Sequence, residues 1–149
     1  MKKIIIILFF TIFILPDIFS QENPSCRAFT NKYVNLLRSK NYLSDAHYNS
    51  VRLVQGDKIE VYKPFFRERE YIIIVSCDPK LPGVNVSITD MGKNIIYKSE
   101  KTAKEQTIEI SPKKNQNLII SVKTAKSEDY PKDYKGCVSI VIGFKKKNQ

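Results

Sequence analysis

One histidine and three cysteines among 149 residues leave little of the equipment of hydrolytic or zinc chemistry. A hydrolase of the α/β type needs a Gly-x-Ser-x-Gly elbow and a histidine base. The chain has no such elbow, and His47 sits between a helical and a strand-like stretch with no identifiable partner. Structural zinc sites use closely spaced ligand pairs, whereas Cys26, Cys77 and Cys137 are scattered. A glycosidase needs two converging carboxylates, and no spacing singles out a pair from Asp57, Asp78, Asp90, Glu128, Asp129 and Asp133. Glu128, Asp129 and Asp133 share one stretch, as calcium ligands do, but acids on a polar loop read first as solvated turn formers. The sequence therefore nominates no catalytic residue, no metal site and no cofactor, and the expectation is a protein that is not an enzyme.

Long apolar runs are also missing, with one short exception. Ile4 to Leu15 is uncharged and apolar, follows basic Met1-Lys2-Lys3, and leads through Pro16-Asp17 to Ile18-Phe19-Ser20. That is the layout of a cleavable signal peptide, and the run falls short of the roughly 20 residues of a membrane span. Residues 1–20 are read as the leader and 21–149 as one mature domain, with no transmembrane segment left after cleavage. The residues before Cys26, Asn23-Pro24-Ser25, lack the Leu-small-small pattern of lipid attachment. A secreted or periplasmic product is expected.

Negative charge is in short supply: 15 acidic residues face 25 basic ones, for a net charge of +10. An exported protein rarely meets nucleic acid, so none is expected as a partner. Acidic polysaccharide, anionic lipid or an envelope protein fits the excess better, beside the plainer reading of a solvated surface.

What the chain has in quantity is β-branched alternation. Tyr71-Ile72-Ile73-Ile74-Val75-Ser76-Cys77 is apolar on both alternating faces and predicts a central strand covered on both sides. Cys137 to Phe144 is its counterpart, with bulk at Val138, Ile140, Ile142 and Phe144 and small residues between. Before these, Phe29, Tyr33, Leu36 and Leu37 recur at helical spacing, which predicts a helix over 26–39 with its apolar face on the sheet and Asn41 as its stop. From Tyr48 the period becomes two. Val51–Gln55 and Lys58–Tyr62 flank Gly56-Asp57 as an expected hairpin, and further strands are expected at Val84–Asp90, Ile95–Tyr97, Thr107–Ile110 and Leu118–Val122. Lys145-Lys146-Lys147 reads as a frayed tail. The fold class is all-β: an antiparallel, jelly-roll-like β-sandwich of about eight strands with one N-terminal α-helix.

The succession Tyr71-Ile-Ile-Ile-Val, Val84-Asn-Val-Ser-Ile-Thr-Asp90-Met-Gly92 and Ile95-Ile96-Tyr97 resembles pre-peptidase C-terminal (PPC)-like β-sandwich domains of exported bacterial proteins. The resemblance covers roughly 51–122; the family's Gly-x-Tyr lead-in to its last strand is absent at Asn117-Leu118. It implies an accessory or binding role and carries over no catalytic residue.

Two local features remain. Tyr62, Lys63, Phe65, Phe66, Arg67 and Arg69 form an aromatic and basic cluster around an expected loop, of the kind that binds sugars or anionic ligands. The plainer alternative is that one Phe plugs the end of the sandwich while Pro64 guards an edge. In an oxidising compartment two of the three cysteines should pair. Cys77 closes one buried strand and Cys137 opens another, so Cys77–Cys137 is the expected bridge across antiparallel neighbours. Cys26–Cys137, which ties the helix to the sheet, is the rival.

Overall fold

In the computed structural model, residues 24–45 and 49–147 are described. The expected leader, residues 1–20, and His47 lie outside them. Helix α1 (Pro24–Ser39) stops where expected, with Asn41 in the left-handed region at φ 61°. The Asn41 N–H donates to the Arg38 carbonyl and the Tyr42 N–H to the Leu37 carbonyl, each at 3.0 Å, so these two carbonyls of the last turn are satisfied.

Nine strands follow among the described residues: β1 (Leu43–Ser44), β2 (Asn49–Leu53), β3 (Lys58–Phe65), β4 (Arg69–Cys77), β5 (Val84–Asp90), β6 (Ile95–Lys98), β7 (Glu105–Ile110), β8 (Gln116–Thr124) and β9 (Gly136–Lys146). They form two antiparallel sheets. One runs β1-β9-β4-β7, with β2 also paired to β9; the other runs β3-β8-β5-β6. The pairs β2·β9, β3·β8, β4·β7 and β5·β6 amount to one long hairpin folded over itself, with its strands shared between facing sheets. That is the jelly-roll arrangement.

β4 and β9 make the centre, and their alternation divides the molecule into two cores. Tyr71, Ile73, Val75 and Cys77 of β4, with Val138, Ile140 and Ile142 of β9, meet Val84, Val86, Ile88, Leu118, Ile120 and Val122 of the facing sheet. On the reverse face Ile72, Ile74 and Val141 pack against Tyr33, Val34 and Leu37 of α1 and against Tyr42. The small residues between the bulky ones of β9 are the seat of the helix. The Ser139 hydroxyl donates to Thr30 Oγ1 at 3.0 Å, and Thr30 in turn donates to the Cys26 carbonyl at 2.8 Å. A Cβ on Gly143 would lie 2.9 Å from both terminal carbons of Leu37. At that site glycine is what lets the helix come close.

Three expectations are corrected. The disulfide is Cys26–Cys137, with a Cα separation of 5.4 Å, and Cys77 is a buried free thiol. β4 and β9 are indeed antiparallel neighbours, but the register sets Cys77 opposite Val138. Cys137 is one residue off that register, and side chains alternate with period two, so the two sulfurs point to opposite faces of the sheet. Second, Gly56-Asp57 turns the chain, with Gly56 at φ 85°, but β2 and β3 join opposite sheets, which makes the connection an arch and not a hairpin. Turn residues reverse a chain without specifying its ladder partner. Third, Lys145 and Lys146 are not frayed. They continue β9 opposite Glu70 and Arg69, and Lys145 Nζ is 3.2 Å from the Glu70 carboxylate.

Candidate functional site: an aromatic and basic cleft at one end of the sandwich

Strand β3 alternates Ile59, Val61, Lys63 and Phe65 toward the inside, and its third inward position is a lysine. A charge at an inward position needs a partner. Lys63 Nζ finds it in Asp45 Oδ2 at 3.0 Å, with both side chains less than one fifth exposed. Asp45 follows β1 of the other sheet and donates its N–H to the Ile142 carbonyl at 3.1 Å. The ion pair therefore spans the gap between the sheets where the sandwich opens.

Beside this pair lies a cleft of about 460 Å³. Its floor is aromatic. Phe65 is fully buried with its ring centroid 4.4 Å from that of Tyr71, and Tyr71 lies 6.2 Å from Phe144. The Tyr71 hydroxyl accepts the N–H of Phe66 at 3.0 Å, which anchors the β3–β4 connection over the opening. Phe66 and Tyr62 stand at the mouth, 41% and 58% exposed. The Tyr62 hydroxyl donates to Glu60 at 3.2 Å, an exposed contact. Arg69 also lines the cleft, its guanidinium carbon 5.1 Å from the Phe66 centroid and 4.3 Å from that of Phe144. Cation–π contacts of this kind hold the planar group in place while leaving its edge donors available.

Of the six residues nominated from sequence, Tyr62, Lys63, Phe65, Phe66 and Arg69 come together around this cleft. Arg67 does not line it; it lies exposed at the tip of the connection, its N–H donating to Asn115 Oδ1 at 2.9 Å. Phe65 also plugs the sandwich end, so the plainer reading holds for that ring and not for Phe66. Asp45, Tyr71, Ile142 and Phe144 line the cleft without having been nominated. The inward lysine was a signal that a carboxylate must lie nearby, but which one depends on how the sheets face each other.

The acidic stretch weighed for calcium holds no ligand set. Glu128 pairs with Lys132 at 2.9 Å, and Asp129 Oδ2 accepts from Ser127 at 3.4 Å. Among the described residues no three His, Cys, Asp or Glu side chains are placed to hold a metal ion. That loop is instead tied down: the Tyr134 hydroxyl donates to Asp78 at 2.8 Å, and Gln55 reaches the Tyr130 carbonyl at 2.9 Å. Among the described residues no helix is long and apolar enough to cross a membrane. In comparison with known proteins, the chain matches no protein-family model and no curated protein.

Proposed function

We propose that the protein is an exported, non-catalytic binding module acting at the cell envelope, and that it engages its ligand in the cleft at the β3–β4 end of the sandwich. The observation that carries this reading is the convergence of exposed Tyr62 and Phe66 with Arg69 at one concavity, over a floor already closed by Phe65 and Tyr71. A volume of about 460 Å³ lies within the range of about 300–1,000 Å³ typical of ligand sites. Export is supported by the leader-like residues 1–20 and by a disulfide, which persists in oxidising compartments. The resemblance to PPC-like domains points to the same accessory role. Jelly-roll sandwiches include lectin domains, but the fold alone assigns no function, so the weight rests on the cleft.

A second reading, a structural subunit of a surface assembly, draws on Met91, Ile95 and Ile96. These are exposed at and beside β6, one of the two edge strands of its sheet. Glycan arrays and lipid arrays at two salt concentrations, run with the exported protein and a Tyr62→Ala/Phe66→Ala variant, separate the two. The binding reading expects a ligand that the variant loses while its melting curve is unchanged. Absence of any ligand together with concentration-dependent self-association rejects it in favour of the assembly subunit.

A further inference from the structure

The cations around the cleft differ in what they are already holding. Lys63 is engaged by Asp45 at 3.0 Å, while Lys145, 3.2 Å from Glu70, lies over the Tyr42 ring on the helix-covered face of the sheet. Arg69 lies over the rings of Phe66 and Phe144, and among the described residues its guanidinium makes no hydrogen bond or ion pair. A guanidinium stacked on rings keeps its fork of N–H donors rigid, and that fork matches the two oxygens of a carboxylate or the oxygens of a sulfate. Most buried or half-buried arginines in folded proteins already have such a partner; this one presents its donors at a concavity.

The surroundings carry the same sign. Lys146 lies opposite Arg69 in the β4·β9 ladder. Arg67 caps the β3–β4 connection and is hydrogen-bonded through its backbone to Asn115, which brings the neighbouring Lys113 and Lys114 to the same end of the sandwich. Of the carboxylates at this end, Asp45 is taken by Lys63, Glu68 lies on the connection itself, and Asp90, opposite Leu118 in the ladder, accepts from Asn94 and lies near Lys114. A ligand entering the cleft meets an excess of positive charge from several strands at once.

A membrane surface would supply anions too, but the apolar helix face that would lie on it is in use, and the exposed Met91, Ile95 and Ile96 stand at and beside β6, at the edge of its sheet opposite β3. The apolar side of α1, through Tyr33, Val34 and Leu37, is buried on the sheet. At the cleft itself the large exposed hydrophobic residues are Tyr62 and Phe66, aromatic rings at the rim of a concavity, an arrangement that takes the flat C–H face of a sugar ring.

We infer that the cleft takes an acidic polysaccharide, with one carboxylate or sulfate of a sugar unit on the Arg69 fork, the sugar ring against Tyr62 and Phe66, and Lys146, Lys113 and Lys114 attracting the rest of the polyanion. This rests on the binding reading above and adds the chemical class of the ligand. Titration calorimetry with oligosaccharides of equal length tests it: a polyuronate, a sulfated polyuronate and a neutral glycan, with vesicles of mixed phosphatidylglycerol and phosphatidylcholine as the competing anionic surface. Both acidic oligosaccharides should bind, the neutral one at least about tenfold more weakly. Arg69→Gln should weaken acidic binding by about tenfold to a hundredfold, and Arg69→Lys, which keeps the charge but not the fork, should restore only a minor part. Melting curves show whether either variant is still folded; if Arg69→Gln is not, the Arg69→Lys comparison decides.

Neutral and acidic oligosaccharides binding alike overturns the inference while leaving the binding reading in place. So does retained acidic affinity in folded Arg69→Gln. Vesicles bound in preference to oligosaccharides overturn it in favour of a lipid surface. Binding to none of the four probes, with self-association, removes the binding reading itself.

Discussion

Cutting the Cys26–Cys137 bridge should remove a large part of the net stability of this fold, and mostly through the unfolded chain. The two cysteines are 111 residues apart. On the chain-entropy relation, closing a loop of that length lowers the entropy of the unfolded ensemble by about 16 cal/mol/K, or about 4.8 kcal/mol at 25 °C. Residual compactness in the unfolded chain takes some of this back, so a loss of about 3–5 kcal/mol is expected on reduction or in Cys26→Ala/Cys137→Ala. That compares with a total of about 5–15 kcal/mol for a typical domain. Helix α1 should remain docked at equilibrium, since Tyr33, Val34 and Leu37 still cover Ile72, Ile74 and Val141. The assay is urea unfolding followed by circular dichroism on oxidised, reduced and double-alanine protein. The midpoint should fall in the latter two while the slope m rises, because an uncrosslinked chain exposes more surface. A Cys77→Ala control should stay oxidised and show no such slope change. A loss under about 1 kcal/mol in the unlinked forms, or a linked peptide containing Cys77 in non-reducing mass mapping, refutes the reasoning.

Gly143→Ala sets a Cβ 2.9 Å from both Leu37 terminal carbons and should cost about 1–3 kcal/mol in urea unfolding; adding Leu37→Ala should then cost less than it does in the parent, and additive losses would argue against the contact. Thr30→Val leaves the buried Ser139 hydroxyl without its acceptor and should cost about 1–3 kcal/mol. A double-mutant cycle with Ser139→Ala should show coupling, and a cycle that closes additively would deny the pair any role. Burial pushes the Cys77 thiol up to about 11, with nearby Lys104 opposing and Asp78 adding to the rise. Below about pH 9, the ordinary value, the thiol is protonated in both states and its contribution is intact. Between about 9 and about 11 the unfolded chain ionises first and stability falls as pH rises. Melting of the parent should therefore decline more steeply across that window than melting of Cys77→Ala, and parallel curves would show that burial of this thiol has no such effect.

Much of the architecture could be read from side-chain period alone. An apolar stretch with no polar face, such as 71–77, has to be covered on both sides, and the alternation of bulk and small residues in 137–144 already marks one face for a sheet and one for something that comes close. Phe29, Tyr33 and Leu37 at helical spacing supply that partner, and Asn41 supplies its stop. The two-sheet sandwich follows because alternating strands bury only one stripe each and need a second sheet to face.

Long-range register was beyond reach of the sequence, and everything the sequence reading missed turns on it. Whether Cys77 or Cys26 bonds Cys137 depends on a one-residue offset between β4 and β9, and that offset decides which face each sulfur occupies. Whether Gly56-Asp57 closes a hairpin depends on β9 and β8 competing for β2 and β3, strands far removed along the chain, with even the nearest pair, Phe65 and Gln116, coming from well-separated segments. The cleft shows the same division. Tyr62, Lys63, Phe66 and Arg69 are neighbours in sequence and could be nominated from composition. Asp45 and Phe144 reach them only once the sheets are stacked, because the opening of a sandwich is made by strand ends whose nearness is a property of the folded layers and not of the chain.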